Sequence, residues 1–148
     1  MRVDDRALLL EAVALADRCP PSATFRVGAL VVDAGGVVLA AGWSGRRHLH
    51  DHAEESALAD LAGVALTGAT VYSSLEPCSA RASRPRSCTR LILDAGVTRV
   101  VYAWREPQLF VECVGDELLR AGGVEVCELS EYAPLVRAAN THLPGVRP

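Results

Sequence analysis

His52-Ala53-Glu54-Glu55, Pro77-Cys78 and Cys88 are the residues whose types and spacing suit chemistry, and each falls where a polar loop runs into a helical pattern. Zinc accepts imidazole nitrogen and thiolate sulfur, and a catalytic zinc keeps three protein ligands while leaving the fourth tetrahedral position to water. His52, Cys78 and Cys88 supply that count. A helix N-terminus carries partial positive charge, which favours thiolate over thiol and so prepares a cysteine for metal. Two thiolates and a neutral imidazole bring a Zn2+ centre to zero formal charge, so it needs a nearby carboxylate to take the proton of water. Helical spacing leans to Glu55, and Glu54 stays open because the water would sit off the helix end rather than along its side. A closed, structural zinc site would instead ask for a fourth protein ligand, for which His50 and Cys113 are the nearest candidates in sequence.

The elements that must position these residues are readable from periodicity. Residues 4–18 read as a helix stopped by Cys19-Pro20-Pro21. Two apolar runs, 27–32 and 37–41, flank Asp33-Ala34-Gly35-Gly36 as a hairpin would. Residues 53–66 read as a second helix with Ala57, Leu58, Leu61, Ala62 and Ala65 on its apolar face. Strands at 69–74, 97–103 and 124–127 then alternate with helices at 89–95, 112–121 and 131–140. A hairpin followed by such alternation predicts an α/β fold, one domain over residues 1–148, with a mixed five-stranded sheet covered by helices on both faces.

Composition narrows the function classes. A chain of 148 residues, half of them hydrophobic, can bury one core. No apolar stretch approaches the roughly 20 residues of a bilayer span, and the start lacks a signal-peptide run, so a soluble, cytoplasmic protein with no membrane partner is expected. All 15 basic residues are arginine, which rules out a Schiff-base lysine and a Walker-type lysine. The net charge of −3 offers no general field for nucleic acid. Five cysteines without an export signal read as reduced thiols, with Cys127 as strand packing. His142 reads as incidental, and Trp43 and Phe25 as packing residues or ring-stacking ones.

On these residues the chain resembles the zinc-dependent nucleobase deaminases of the cytidine-deaminase type, whose signature is His-x-Glu followed by Pro-Cys and a further Cys. His52-Ala53-Glu54 and Pro77-Cys78 match it residue for residue. The resemblance implies Zn2+ on His52, Cys78 and Cys88, Glu54 rather than Glu55 as the acid–base residue, and a cytidine-deaminase-like three-layer α/β/α sandwich. The common motif puts two residues between the cysteines, whereas residues 79–87 lie between them here. That longer loop is similar to the riboflavin-biosynthesis deaminases, which act on a diaminopyrimidinone bearing a phosphorylated ribosyl- or ribitylamino group. Leu75-Glu76-Pro77-Cys78-Ser79 and Gly96-Val97-Thr98-Arg99-Val100-Val101 share the likeness, and Arg81, Ser83, Glu106-Pro107 and Phe110-Val111-Glu112-Cys113 look like its fungal-type members.

The resemblance implies hydrolytic deamination of a small aminopyrimidine, a homodimer with residues 110–114 at an interface, and a separate reductase, since the reductase domain often fused to bacterial members does not fit this length. Arg81 and Arg84 are candidate phosphate ligands, because guanidinium binds phosphate as a bidentate fork. With Arg86 they read equally as a solvated basic loop. Ser83 and Glu76 complete the candidate substrate contacts, Glu76 alternatively orienting the loop. Two departures favour a ring with another substituent as the alternative. Ala23-Thr24-Phe25-Arg26 stands where bacterial members carry Pro-Asn-Pro, and Ala80-Arg81-Ala82-Ser83-Arg84 replaces their His-His-Gly-Arg. A deaminase of another nucleobase or nucleotide, and an inactive zinc-binding assembly partner, are the further alternatives; the intact Glu54 argues against the last.

Overall fold

Runs of valine, alanine and leucine with side chains on alternating faces build a sheet that needs cover on both sides. The computed structural model describes residues 4–81, 85–107 and 113–148. In chain order the elements are α1 (Asp5–Leu15), β1 (Gly28–Val32), β2 (Val38–Trp43), α2 (Ala53–Ala59), β3 (Thr70–Leu75), α3 (Cys88–Ala95), β4 (Arg99–Trp104), α4 (Gly115–Ala121), β5 (Glu125–Glu128) and α5 (Ala133–Ala138). The sheet runs β2-β1-β3-β4-β5. β1 pairs antiparallel with β2 and β3, while β3–β4 and β4–β5 are parallel, so the sheet is mixed as expected.

The alternation sorts the core into layers. Val31, Val71, Val100 and Tyr102 face α2, α3 and α4 through Ala57, Ile92 and Leu119. Leu30, Val32, Tyr72 and Val101 face α1 and α5 through Leu9, Ala12 and Val136. A third cluster of Phe25, Val27, Ala29, Ala53, Leu75 and Leu143 closes the sandwich at one end. Every residue of β1 and β3 is buried, as central strands covered on both faces must be.

Three helical segments differ from the sequence expectation. The helix read at 53–66 stops at Ala59, and Gly63 takes a left-handed φ of +81° just before β-branched Val64 and Thr67. Ala62 and Ala65 are therefore exposed rather than part of an apolar face. The helix read at 112–121 begins at Gly115, residue 112 lying outside the described residues. The last helix splits into a 3-10 turn at Ser130–Tyr132 and α5, with Pro134 near its start. Among the described residues, no helix is long and apolar enough to cross a membrane.

Candidate active site

Parallel strands present their C-terminal ends to one edge of the sheet, where α/β proteins bind ligands. The chain leaving β3 there runs Glu76-Pro77-Cys78, and the chain leaving β4 runs Arg105-Glu106. His52 caps α2 in extended conformation (φ −88°, ψ 158°), and Cys88 opens α3 behind the N-cap Ser87, whose Oγ accepts from the Arg90 N–H at 3.1 Å. His52 and Cys88 sit at helix starts, as their sequence context predicts, whereas Cys78 lies in the irregular chain after β3 and opens no helix.

These elements converge. His52 Nδ1 lies 3.5 Å from Cys78 Sγ and 3.3 Å from Cys88 Sγ. All three ligand atoms fall within 4.8 Å of one another, and no other such cluster occurs among the described residues. Tetrahedral zinc with Zn–N near 2.05 Å and Zn–S near 2.3 Å would space nitrogen and sulfur by about 3.5 Å, so the donor set fits the ion. The Cys88 backbone N–H donates to Cys78 Sγ at 3.2 Å, placing that sulfur at the positive end of α3. A hydrogen bond from the Cys88 side chain, helped by His52, draws the Cys78 thiol down to about 4 against the effect of burial. The same hydrogen bond, together with burial, pushes Cys88 well up. A metal binding here would displace the thiol protons of the pair. Burial alone would lower the His52 pKa, but the Cys78 side chain outweighs it and the net shift is upward.

The two glutamates of α2 separate cleanly. Glu54 is 3 % exposed, lines the cavity, interacts with Cys88, and accepts a hydrogen bond from Ser73 Oγ of β3 at 2.5 Å. Glu55 turns back instead. Its Oε1 accepts from the His52 N–H at 3.2 Å in a capping box and pairs with Arg81 at 3.1 Å. Helical spacing alone favoured Glu55, and the structure gives that residue to the cap.

A cavity of about 710 Å³ opens onto His52, Glu54 and Cys78. Its walls come from residues 21–25, from Leu49 to Asp51, and from Glu76, Arg81 and Glu106. Arg81 is 97 % enclosed by its side-chain exposure of 3 %, pairing with Glu55 and donating to the His50 carbonyl at 2.8 Å. Ser83 and Arg84 lie outside the described residues, as do residues 110–112 of the expected interface. Arg86 is exposed and pairs with Asp94 at 3.1 Å. Glu76 lines the cavity, yet both its oxygens hold backbone: Oε1 accepts from the Glu106 N–H and Oε2 from the Asp116 N–H, each at 3.0 Å. It therefore holds the chain after β4 and the first turn of α4 in place. Trp43 does not reach the cavity; the guanidinium groups of Arg18 and Arg46 cover its ring at 5.2 and 5.5 Å. Phe25 does line the cavity and packs edge-on against Trp104 at 6.0 Å.

Two residues of the site escaped the sequence reading. Glu106 appeared there only within a resemblance, but its Oε2 is buried without a hydrogen-bond partner beside the cavity, and burial pushes its carboxyl up to about 7. A carboxylate directly after a parallel strand is the signal that could have found it. His142, read as incidental, donates from Nε2 to the Thr24 carbonyl at 2.8 Å, on the cavity wall. Nothing local marks that contact, which spans 118 positions of sequence.

The model of the cytidine and deoxycytidylate deaminase zinc-binding region matches residues 2–104, spanning the His52 and Cys78–Cys88 motifs. The chain belongs to that family. A diaminohydroxyphosphoribosylamino-pyrimidine deaminase of Schizosaccharomyces pombe is 39% identical over 125 residues, covering 81% of this chain and 31% of the relative. RibD of Acinetobacter baumannii superposes with a TM-score of 0.79 at 29% identity, over 93% of this chain and 38% of that one. Aspergillus oryzae Rib2 deaminase, solved in complex with DARIPP, superposes with a TM-score of 0.80 over 91% of this chain and 88% of that one, and at 20% identity that likeness is one of fold. This chain spans about a third of the length of the curated relatives it matches. The comparisons bear out the cytidine-deaminase-like three-layer sandwich and zinc as the family's metal.

Proposed function

We propose that residues 1–148 form one deaminase domain that hydrolyses an amino group from a diaminopyrimidinone carrying a phosphorylated ribosyl- or ribitylamino group. The observation that carries this reading is the convergence of His52, Cys78, Cys88 and a buried Glu54 on one cavity. The name of the fission-yeast relative supplies the substrate class, and about 710 Å³ is ample for a ring with a sugar phosphate.

His52, Cys78 and Cys88 would hold the zinc. When bound, the metal lowers the pKa of a water so that a nucleophile is available near neutral pH. Glu54 would take one proton from water and deliver it to the ring nitrogen, then take the proton left on the new hydroxyl and deliver it to the departing amine. A C–O bond forms at the amine-bearing carbon, the C–N bond breaks, and ammonia leaves. Ser73 holds the Glu54 carboxylate from behind, so the base meets the substrate in one orientation. Glu106, with its buried Oε2 toward the cavity, suits an N–H edge of the ring. Arg81, and Ser83 and Arg84 from the same loop, would meet the phosphate. Arg81 is already engaged by Glu55, which favours as second reading a ring with an uncharged substituent.

A homodimer is the assembly we propose, supported by the exposed Val114 and Leu118 at α4. A separate reductase would consume the product.

Glu54→Gln tests the mechanism. The variant should retain zinc and lose turnover by a factor on the order of 10² to 10⁴, the usual share of a general acid–base group. Ammonia release from phosphorylated and dephosphorylated diaminopyrimidinones decides the substituent. Near-normal turnover by the Glu54 variant would remove the assigned base.

A further inference from the structure

One stretch of the cavity wall is not secondary structure. Pro21, Ser22, Ala23, Thr24 and Phe25 line it as irregular chain between α1 and β1. Irregular backbone keeps a fixed shape only where its polar groups find partners.

Those partners come from the far end of the sequence. Asn140 is fully buried just after α5. Its Oδ1 accepts from the Arg26 N–H at 2.7 Å and its Nδ2 donates to the Arg26 carbonyl at 3.2 Å, as a neighbouring strand would. Nδ2 also donates to the Val136 carbonyl at 2.9 Å, which ties the side chain to α5. Two residues on, His142 holds the Thr24 carbonyl, and buried Leu143 packs with Phe25 and Val27 beneath the cavity.

We propose that the C-terminal segment from Asn140 to Leu143 is a clamp that sets the shape of the substrate wall, with Asn140 as its positioning residue. The inference rests on the proposed function in that it takes the cavity as the substrate site. The clamp touches none of the zinc ligands and acts through Arg26, Thr24 and Phe25. Its loss should therefore weaken substrate binding while leaving the metal and the chemical step in place.

The test compares Asn140→Ala, Asn140→Asp and a chain ending at Thr141, each assayed for zinc content and for KM and kcat by ammonia release. Asn140→Ala should raise KM on the order of tenfold, equivalent to about 1.4 kcal/mol, with kcat and zinc near those of the parent. Asn140→Asp keeps the acceptor for the Arg26 N–H and loses both donations, so its KM should fall between the two. The shortened chain, lacking His142 and Leu143, should also raise KM. Unchanged KM in all three overturns the clamp, and so does a loss of zinc and kcat in parallel, which marks plain destabilisation. If Asn140→Ala does not fold, the other two variants decide. If the parent chain releases no ammonia from any aminopyrimidine, the proposed function fails. Hydrogen exchange at the Arg26 amide still reads the clamp, faster in Asn140→Ala, which removes its acceptor, if the clamp holds and unchanged if it does not.

Discussion

Replacing Gly42 by alanine should injure the site from a distance. Gly42 lies in β2 under α2, and a Cβ there would stand 2.2 Å from the Ala53 carbonyl oxygen, 2.4 Å from Ser56 Oγ and 2.7 Å from the Ala57 nitrogen. Two of these are backbone atoms and cannot rotate away, so α2 must back off by at least 0.8 Å to open the shortest contact to 3.0 Å. That helix carries the His52 cap and Glu54 in its first turn, while Cys78 and Cys88 stay anchored to β3 and α3. A displacement of about 1 Å between reacting groups costs on the order of 10²-fold. The overpacking itself should cost about 1–3 kcal/mol of stability. The assay is kcat/KM by ammonia release, with zinc content and Tm measured on the same preparations. Gly35→Ala is the control, because its Cβ would meet only Asp33 Oδ1 at 3.4 Å in the exposed hairpin turn. A folded Gly42→Ala protein with kcat/KM within about threefold of the parent would show that α2 moves without disturbing the site, and the rigid-placement reasoning would be wrong.

Glu55→Ala should lose the capping box, about 1 kcal/mol of stability, and Glu55→Gln should recover most of it while keeping turnover, in contrast to Glu54→Gln; urea midpoints and kcat measure the two effects. Burial holds the Glu106 carboxyl near 7, above the ordinary 4.5. The folded metal-free protein therefore retains a proton that the unfolded chain has released. Its stability should fall as pH rises from about 4.5 to 7, by no more than about 1.4 kcal/mol per pH unit. Glu106→Gln should flatten that slope, and an identical slope in urea titrations of the two proteins would contradict the burial argument. Cys88→Ala removes one of three ligands and should bring zinc in the purified protein well below one equivalent, as elemental analysis would show.

Much of the fold could be read because it depends on local pattern. Apolar strand runs, the hairpin turn and the punctuation by Cys19-Pro20-Pro21 and Gly96 follow from short-range sterics and from the need to bury central strands on both faces. The over-long helix at 53–66 shows the limit. Apolar spacing continued past Ala59, but Gly63 turned the chain and left Ala62 and Ala65 in water. Within the site, His52, Cys78 and Cys88 could be read because zinc chemistry restricts residue type and because His52 and Cys88 stand at helix starts. Glu106 and Asn140 could not, since a lone carboxylate and a lone amide carry no local signature.

What the sequence determined by itself, then, was the donor set, the strands and helices, and the absence of lysine chemistry. Tertiary structure decided the division of labour between Glu54 and Glu55. Their first-turn positions are adjacent, and only the cap at His52 on one side and Ser73 on the other send one carboxylate to the helix end and its neighbour to the cavity. It also decided Glu76, whose two oxygens are taken by amides 30 and 40 residues away. The reason is common to both. A side chain's role follows from which long-range partner takes its hydrogen bonds, and those partners are brought together only when the sheet and its covering helices have closed.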